Sequence, residues 1–225
     1  MESSEVLRKL QSLSDPKNVA GMARFGISSK NTLGVPVPEL RAIAKQAGKD
    51  HKIALRLWKS GIHEARILAS MVEEPAKVTE AQADAWVAGF DSWDVCDQCC
   101  MNLFWTLPFA NKKIFEWAKR DEEYVRRAAF ALIASISVKD KKMPGSEIER
   151  FFPLIKEYST DSRNYVRKAV NWALRQIGKR NSKLNLKAVA VAKEIQRIDS
   201  KSAKWVAADA LRELTSGAVQ KRLKK

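Results

Sequence analysis

The chain has 225 residues, enough for one or two domains with a proper hydrophobic core. It is 45% hydrophobic and 30% charged, which is typical of a globular protein and excludes a largely disordered one. No apolar run approaches the ~20 residues that span a bilayer, and residues 1–16 contain no apolar stretch suited to a secretory signal. We therefore expect a cytoplasmic protein without a membrane partner.

The positive charge of the chain is large and unevenly placed. Lys and Arg number 41 and Asp and Glu 26, for a net charge of +15. From Val166 to Lys225 there are 16 basic residues and only 4 acidic ones. A surplus on this scale indicates a polyanionic partner, nucleic acid before an anionic membrane, although charge alone leaves a solubility surface open as the alternative.

Helix signals recur along the chain, and strand signals are missing. Ser14-Asp15-Pro16 predicts a helix cap followed by proline in the first turn. The next helix follows Pro36 and Pro38, and Gly48 suits its C-terminus. Further breakers at residues 61, 74–75, 106–108 and 143–145 divide the rest into helices of about ten to seventeen residues, so we predict an all-α fold.

Several of these helices resemble one another. EEYVRRAAFALIAS (122–135) and SRNYVRKAVNWALRQ (162–176) share an aromatic-Val-Arg-basic-Ala pattern, and Tyr124 and Tyr165 are 41 residues apart. Trp205-Val206 continues the pattern 40 residues later, and residues 61–72 form a weaker copy. A period near 40 built from helix pairs is typical of HEAT-like solenoids. We predict one α-solenoid domain over 1–215 with a concave face, followed by a basic tail, 216–225, that is disordered or becomes ordered on DNA.

The repeat register predicts which side chains share the concave face. Arg66, Arg127 and Lys168 occupy equivalent positions in successive copies. Helical spacing also places Trp93 with Asp97, and Lys168 with the side chains four and seven residues later. These residues together form a predicted basic groove: Arg66, Trp93, Asp97, Arg127, Lys168, Trp172 and Arg175. The remaining tryptophans are expected in the core: Trp58, Trp86, Trp105, Trp117 and Trp205.

The stretch FDSWDVCDQCC (90–100) combines acids, a tryptophan and all three cysteines. It is open to three interpretations: a metal or redox site, an ordinary amphipathic helix, or a carboxylate placed in a cationic surface. A structural zinc site takes four ligands, but His51 and His63 are distant, and no βαβ pattern accompanies the C-x-x-C spacing. We therefore expect the cysteines to pack in the core and no metal to bind.

The ordered set Trp-x-x-x-Asp (93–97), YVRRAA and YVRKAVNWALRQIGK resembles the AlkD-like DNA glycosylases of alkylation repair. MARF (22–25) and GVPVPELR (34–41) extend this resemblance over nearly the whole chain. It implies that the concave face binds duplex DNA and that a Trp-Asp-Trp set meets the damaged nucleotide. Those roles fall on Trp93, Asp97 and Trp172, and phosphate contacts fall on Arg127 and Arg175. Ser92 stands where the family often has a second aromatic residue.

The chemistry that this resemblance implies needs only one carboxylate. A purine alkylated at N3 or N7 is cationic and departs without a proton, so no general acid is required, whereas ordinary glycosidases use two carboxyl groups. Asp97 would stabilise the oxocarbenium-like sugar, and the indole faces of the tryptophans would favour the same positive charge. We expect a monofunctional hydrolase, with no lyase activity, no cofactor and no deep base-flipping pocket, that acts as a monomer.

Two alternatives to this function stay open at the level of sequence. One is a non-catalytic HEAT module that binds bent, branched or damaged DNA through the same basic face. The other is a HEAT scaffold that binds an acidic protein, for which the basic C-terminal half would serve equally well.

Overall fold

A computed structural model describes residues 1–224, in which the regular elements are helices and short 3₁₀ turns and no strand occurs. The helices form two compact units, Met1–Phe109 and Ala110–Lys225. The prediction of one domain over 1–215 stays a prediction. Among residues 1–224 no helix is long and apolar enough to cross a membrane.

The first unit is organised around one buried helix. Its helices are α1 (Ser3–Ser12), α2 (Pro16–Ala23), α3 (Val37–Ala47), α4 (His51–Lys59), α5 (His63–Val72), α6 (Glu80–Ala88) and α7 (Trp93–Asn102), with 3₁₀ turns at Pro75–Lys77 and Phe104–Thr106. α5 packs against α1, α3, α4 and α7. Its apolar side chains therefore lose contact with solvent: Ala65, Leu68 and Ala69 are fully buried, and Ile67 is nearly so. A helix that is apolar on most sides belongs in the centre of its unit.

The loop between α2 and α3 is held by specific backbone contacts. Asp15 caps α2 as predicted, because its carboxylate accepts hydrogen bonds from the backbone N–H of Lys17 at 2.8 Å and of Asn18. At the other end of the loop the buried Glu64 carboxylate accepts from the N–H of Gly34 at 2.7 Å and of the preceding residue. Gly34 has φ +79°, and a Cβ there would lie 2.3 Å from the Asp15 carbonyl oxygen. Only glycine fits this position.

The second unit is built around α9 (Glu123–Lys139), a helix that is buried on all sides over part of its length. Its helices are α8 (Ala110–Ala118), α9 (Glu123–Lys139), α10 (Gly145–Glu149), α11 (Phe152–Tyr158), α12 (Asn164–Gly178), α13 (Ser182–Gln196), α14 (Lys201–Leu214) and α15 (Gly217–Leu223). Every residue from Ala128 to Ala134 is fully inaccessible to solvent. α9 packs on α8 before it and on α12 after it.

The predicted helical repeat is observed in this unit. The three similar segments form α9, α12 and α14, and α12 packs against both of the others. The equivalent residues Tyr124 and Tyr165 are in contact, with ring centroids 5.6 Å apart. Each repeat therefore completes its core against the next one, which is the packing logic of HEAT-like proteins.

Two details of the second unit differ from expectation. Residues 217–223 of the predicted tail form α15, with Val219 buried and the Gln220 side-chain amide donating to the Leu214 carbonyl at 2.7 Å. Lys225, the last residue of that tail, lies outside the described residues. Trp205, predicted as core, is 38% exposed and lies beneath the Arg167 guanidinium at 4.6 Å. An indole can be covered by a cation instead of by apolar groups.

Candidate catalytic pair and nucleic-acid interface

Trp93 and Asp97 lie on α7, one helical turn apart. Trp93 begins the helix and is half-buried, and its indole N–H donates a hydrogen bond to the Phe25 carbonyl at 3.0 Å. This bond joins α7 to the loop after α2 and fixes the plane of the indole. Asp97 is only 8% exposed. The pair therefore combines an oriented aromatic face with a carboxylate that is largely removed from water.

The cysteines of α7 are packing residues in this structure. Cys96, Cys99 and Cys100 are all completely buried. Burial raises the pKa of the Cys99 thiol well above its usual range, so that thiol is protonated and unreactive at neutral pH. In residues 1–224 no group of three or more His, Cys, Asp or Glu side chains is arranged to hold a metal ion.

Next to the catalytic candidates lies an ion pair that the sequence pattern did not predict. His63, at the start of α5, is 2.8 Å from the Asp94 carboxylate, measured from Nε2 to Oδ2, and both are largely buried. Burial disfavours the imidazolium, but the hydrogen bond and charge of Asp94 outweigh it and raise the pKa of His63. Burial likewise disfavours the Asp94 carboxylate, but the bond and charge of His63, together with the Ser92 hydroxyl and the Val95 N–H, outweigh it and lower the pKa of Asp94. The pair anchors the first turn of α7 to α5.

A cleft of about 560 Å³ opens beside Trp93 in the first unit. Its lining is mostly apolar and includes Met22, Phe25, Val35, Pro36 and Trp93. Two of its polar side chains already have partners inside the protein: Asn18 donates to the Gly34 carbonyl and Asp94 binds His63. A pocket that reads a flipped base needs polar groups free to bind the edge of that base. The cleft offers few such groups: the exposed Lys17 and the remaining donor and acceptor positions of the Asn18 amide.

Arg66 is engaged within the first unit. Its guanidinium donates to the Gly89 carbonyl and to the Asp91 carboxylate, both at 3.2 Å, and lies 5.3 Å from the centre of the Trp58 ring. The contact with Asp91 is exposed, so it is a weak ion pair. A DNA phosphate would have to compete with these partners for Arg66.

The second unit carries the other four predicted site residues. Lys168, Trp172 and Arg175 follow one face of α12, with Lys168 exposed and the other two half-buried. Arg127, on the adjacent α9, is 6% exposed and donates to the Tyr165 carbonyl at 2.6 Å. Within residues 1–224 the Lys168 ammonium has no ion-pair partner, so of these four it is the side chain most available to a phosphate.

Arg175 is neutralised by acids of the next repeat, which the sequence pattern did not predict. It forms an ion pair with Glu213, and its Nε is 3.7 Å from the Asp209 carboxylate. Lys179 also binds Glu213, at 2.6 Å. Burial disfavours ionisation of Glu213, but the bonds from Lys179 and Arg175 outweigh it and lower its pKa. A signal was present in the sequence, since Glu213 follows Arg175 by 38 residues, close to one repeat period.

Trp93, Asp97 and Arg66 thus lie on neighbouring helices of the first unit, and Arg127, Lys168, Trp172 and Arg175 on neighbouring helices of the second. The single basic groove that would hold all seven stays a prediction. What the fold defines is a protein of stacked helical repeats that places a tryptophan–carboxylate pair in one unit and a cationic helix face in the other.

Comparison with known proteins identifies this class further. The sequence profile described as DNA alkylation repair enzyme matches residues 6–214, and the chain belongs to that family. A solved structure described as a new family of proteins related to the HEAT-like repeat DNA glycosylases with affinity for branched DNA structures superposes with a TM-score of 0.78. The two chains are 19% identical, and 95% of each is covered, which confirms the HEAT-like fold.

Other matches add nothing to this assignment. A designed armadillo repeat protein is 14% identical over 78% of this chain and 92% of its own, with a TM-score of 0.38. An engineered protein is 16% identical over 94% of this chain and 99% of its own, with a TM-score of 0.40. No curated protein sequence matches the chain.

Proposed function

We propose that this protein is a DNA glycosylase that hydrolyses the N-glycosidic bond of cationic N3- and N7-alkylated purines in duplex DNA. The observation that carries the proposal is the pair on α7. Asp97 is 8% exposed and lies one turn from the oriented, half-buried Trp93 in a chain of the DNA alkylation repair enzyme family. No cofactor takes part in the proposed reaction.

The proposed reaction breaks one bond and forms one bond. The electron pair of the glycosidic bond leaves with the purine and neutralises its positive charge, so the base departs without a proton. Cationic character moves to the sugar, where the Asp97 carboxylate stabilises it across a poorly hydrated gap. A water oxygen then attacks C1′, and its proton passes to solvent. One carboxylate is sufficient because the leaving group needs no acid, in contrast to the paired carboxyl groups of ordinary glycosidases.

The two tryptophans have supporting roles in this proposal. The bond from the Trp93 indole N–H to the Phe25 carbonyl fixes the ring before DNA arrives, so its orientation costs nothing on binding. Trp172 is the second aromatic residue that we propose for contact with a damaged nucleotide, and each indole face attracts a cationic sugar or base by about 0.5–2 kcal/mol. The apolar cleft beside Trp93 gives room for a larger alkyl substituent without reading the base itself.

The cationic residues of the second unit hold the phosphates in this proposal. Lys168 is exposed and Arg175 lies on the same face of α12, so these two are the first candidates for backbone contacts. Arg127 is buried and would contact a phosphate only from the floor of the site. Arg66 would exchange its exposed bond to Asp91 for a bond to a phosphate. Each phosphate neutralised releases counterions and adds to affinity without reading sequence.

The test is release of 7-methylguanine from methylated duplex under single-turnover conditions. The wild-type protein should release the free base, and Asp97→Asn should reduce the rate by about 10² or more. The control is Asp91→Asn, which removes the same charge from an exposed side chain six residues away. Equal rates for wild type and Asp97→Asn would remove Asp97 from the chemistry, and no release by the wild type would end the glycosylase proposal.

A second candidate function is recognition of branched DNA without catalysis. The observation that favours it is the structural neighbour described as having affinity for branched DNA. A four-way junction and a plain duplex of equal length distinguish the two functions. Preferential junction binding by the wild type, together with no base release from methylated duplex, would establish this second function in place of the first.

A further inference from the structure

A second cluster of cations lies in the second unit, away from the residues assigned above. A pocket of about 320 Å³ is formed where α9 and α12 end and where α15 packs. Its charged lining residues are all basic: Lys141, Lys179, Arg180 and Arg222. Its volume is at the lower end of the ~300–1,000 Å³ range of small-ligand sites.

The two arginines are oriented by backbone carbonyls at the helix ends. Arg180 donates to the carbonyls of Ser137 at 3.0 Å and Met143 at 2.8 Å, and Arg222 donates to the Lys179 carbonyl at 2.9 Å. Cations often cap helix C-termini in this way, and capping alone explains these bonds. A guanidinium has five N–H donors, however, so each arginine keeps donors that point elsewhere. The carbonyls fix the positions of both guanidinium groups and leave several N–H donors of each group available to an anion.

Most of the positive charge of this pocket has no acidic partner in the part of the chain that the structure describes. Among residues 1–224 no carboxylate lies within ion-pair distance of Lys141, Arg180 or Arg222, whereas Lys179 is paired with Glu213. Other surface lysines of this unit do have acidic partners, as Lys156 has Glu194 at 2.7 Å. Three unpaired positive charges around one small cavity repel one another, and an anion with several acceptor oxygens would relieve that repulsion.

We propose that this pocket binds a phosphate of the DNA backbone, as an anchor additional to the helix face that carries Lys168 and Arg175. Lys179 continues that face, since it follows Lys168 by eleven residues, or about three turns. At 1.5 Å per residue the two are separated by about 16 Å along α12. A DNA strand whose backbone runs along α12 would therefore bring one phosphate to Lys168 and another to the pocket.

This inference rests on the proposed function only in taking duplex DNA as the partner. The experiment therefore uses unmodified duplex, on which no base can be released, and measures affinity by fluorescence anisotropy at several salt concentrations. The test variant is Lys141→Gln/Arg222→Gln, in which both residues are exposed. The control is Lys156→Gln/Lys187→Gln, which removes the same charge from two ion-paired lysines of the same unit.

The pocket variant should lower the slope of log K against log salt by about one, because the one phosphate held in the pocket is no longer neutralised, while the control keeps the wild-type slope. Circular dichroism melting confirms that both variants fold. An unchanged slope in the pocket variant, or an equal change in the control, would overturn the proposal.

A second arm of the experiment adds inorganic phosphate alone. Stabilisation of the wild type but not of the variant, with duplex affinity equal in both, would assign the pocket to free phosphate instead of DNA. The salt-dependent affinity can be interpreted even if the glycosylase assay shows no activity, because binding is measured without catalysis.

Discussion

The two units of this protein differ completely in charge. Residues 1–109 contain 13 basic and 13 acidic residues, and residues 110–225 contain 28 basic and 13 acidic ones, so the second unit holds the whole surplus of fifteen. The candidate catalytic carboxylate, Asp97, belongs to the neutral unit. A carboxylate in the strongly cationic unit would lower the affinity of that unit for a polyanion. In the function proposed above, this division would separate binding of phosphates from stabilisation of a positive sugar.

The acids of the first unit also serve a different purpose from those of the second. Glu64 and Glu73 are buried and bind backbone N–H groups, a histidine or an amide, as Glu73 binds His51 at 2.8 Å. Asp94 binds His63. In the second unit, by contrast, Glu213 lies beside the cations that we assign to DNA. Acidic residues thus organise the first unit internally and moderate the outer charge of the second.

The largest expected effect concerns which lesions the neutral unit can process. The proposed site has one catalytic carboxylate and no second carboxyl group assigned to protonate the leaving base, and Asp94 of the cleft is bonded to His63. We expect release of 3-methyladenine and 7-methylguanine at rates at least ~10³ above release of uracil, where the absence of positive charge on the leaving group removes the driving force. Larger N3 or N7 substituents should also be tolerated. Efficient uracil release would show that a base-reading pocket exists and that this division of labour is wrong.

The next largest effect is expected on the stability of the protein when glycines are replaced, first of all Gly34 in the loop beside the cleft. Gly34→Ala should destabilise the protein by about 2–4 kcal/mol, because it combines left-handed strain with a clash against the Asp15 carbonyl. Gly48→Ala meets open space but carries backbone strain at φ 74° and ψ −169°, a region that glycine almost alone adopts, so its cost should be about 1–3 kcal/mol. Gly21→Ala lies within α2 in open space and should be neutral or stabilising. Urea unfolding followed by tryptophan fluorescence measures the free energy of unfolding of all three variants. Equal costs for the Gly34 and Gly48 variants would show that the loop moves enough to remove the clash with the Asp15 carbonyl.

Periodicity was sufficient to predict the helical repeats, because three segments 40 and 41 residues apart carry the same buried pattern. It also predicted the neighbourhood of Trp93 and Asp97 on one helix. It could not distinguish Arg126 from Arg127 in YVRRAA. Arg126 is tied to Asp161 at 2.9 Å and to the Ala118 carbonyl, and covers the Tyr158 ring. Such roles depend on side chains from other repeats, which spacing within one helix does not reveal.

The same limitation explains why the contacts of Arg175 and His63 were not predicted. The partner of each is distant in sequence: Asp94 follows His63 by 31 residues and Glu213 follows Arg175 by 38. Charge counting predicted a cationic C-terminal half, but it gave no means of deciding which cations were already paired. The structure decides this, since Arg175 is neutralised while Lys168 is exposed.

The internal use of acids in the first unit predicts a pH-dependent stability. The folded pKa of His63 is raised, so the stability gained from its bond to Asp94 is fully present below about pH 6.5 and is lost as pH rises through the folded pKa. The folded pKa of Asp94 is lowered, so its contribution is present above about pH 3.9 and is lost as pH falls through that lower value. Glu64 and Asp91 also favour the imidazolium. The pair should therefore contribute most between about pH 4 and 6.5.

Asp94→Asn should accordingly cost about 1.5–3 kcal/mol at pH 5.5, and less at pH 8.5, where a larger fraction of the imidazole is neutral in the wild type. Urea unfolding of wild type and variant at the two pH values measures the difference. Asp91→Asn, whose ion pair with Arg66 is exposed, should show a small cost at either pH. A cost for Asp94→Asn that is independent of pH would mean that the imidazole bonds Asp94 in its neutral form.

The smallest expected effect concerns the acid that moderates the cationic unit. Glu213 binds both Arg175 and Lys179, so Glu213→Gln should free two cations and tighten duplex binding by about threefold to tenfold. Arg175→Ala should act in the opposite direction and lower the salt slope by about one, because one fewer phosphate is neutralised. The control is Glu194→Gln, which removes the same charge from an exposed glutamate paired with Lys156.

The double variant Arg175→Ala/Glu213→Gln separates two explanations of these changes. If Glu213 acts by occupying Arg175, the gain from Glu213→Gln should shrink once Arg175 is absent, leaving only the part that comes from Lys179. If Glu213 acts only by adding negative charge to the surface, its removal should help equally with and without Arg175, and Glu194→Gln should help as much. Anisotropy titrations of unmodified duplex at two salt concentrations measure all four proteins. Full additivity would show that the pair between Arg175 and Glu213 does not govern DNA binding, even though both residues lie on the cationic unit.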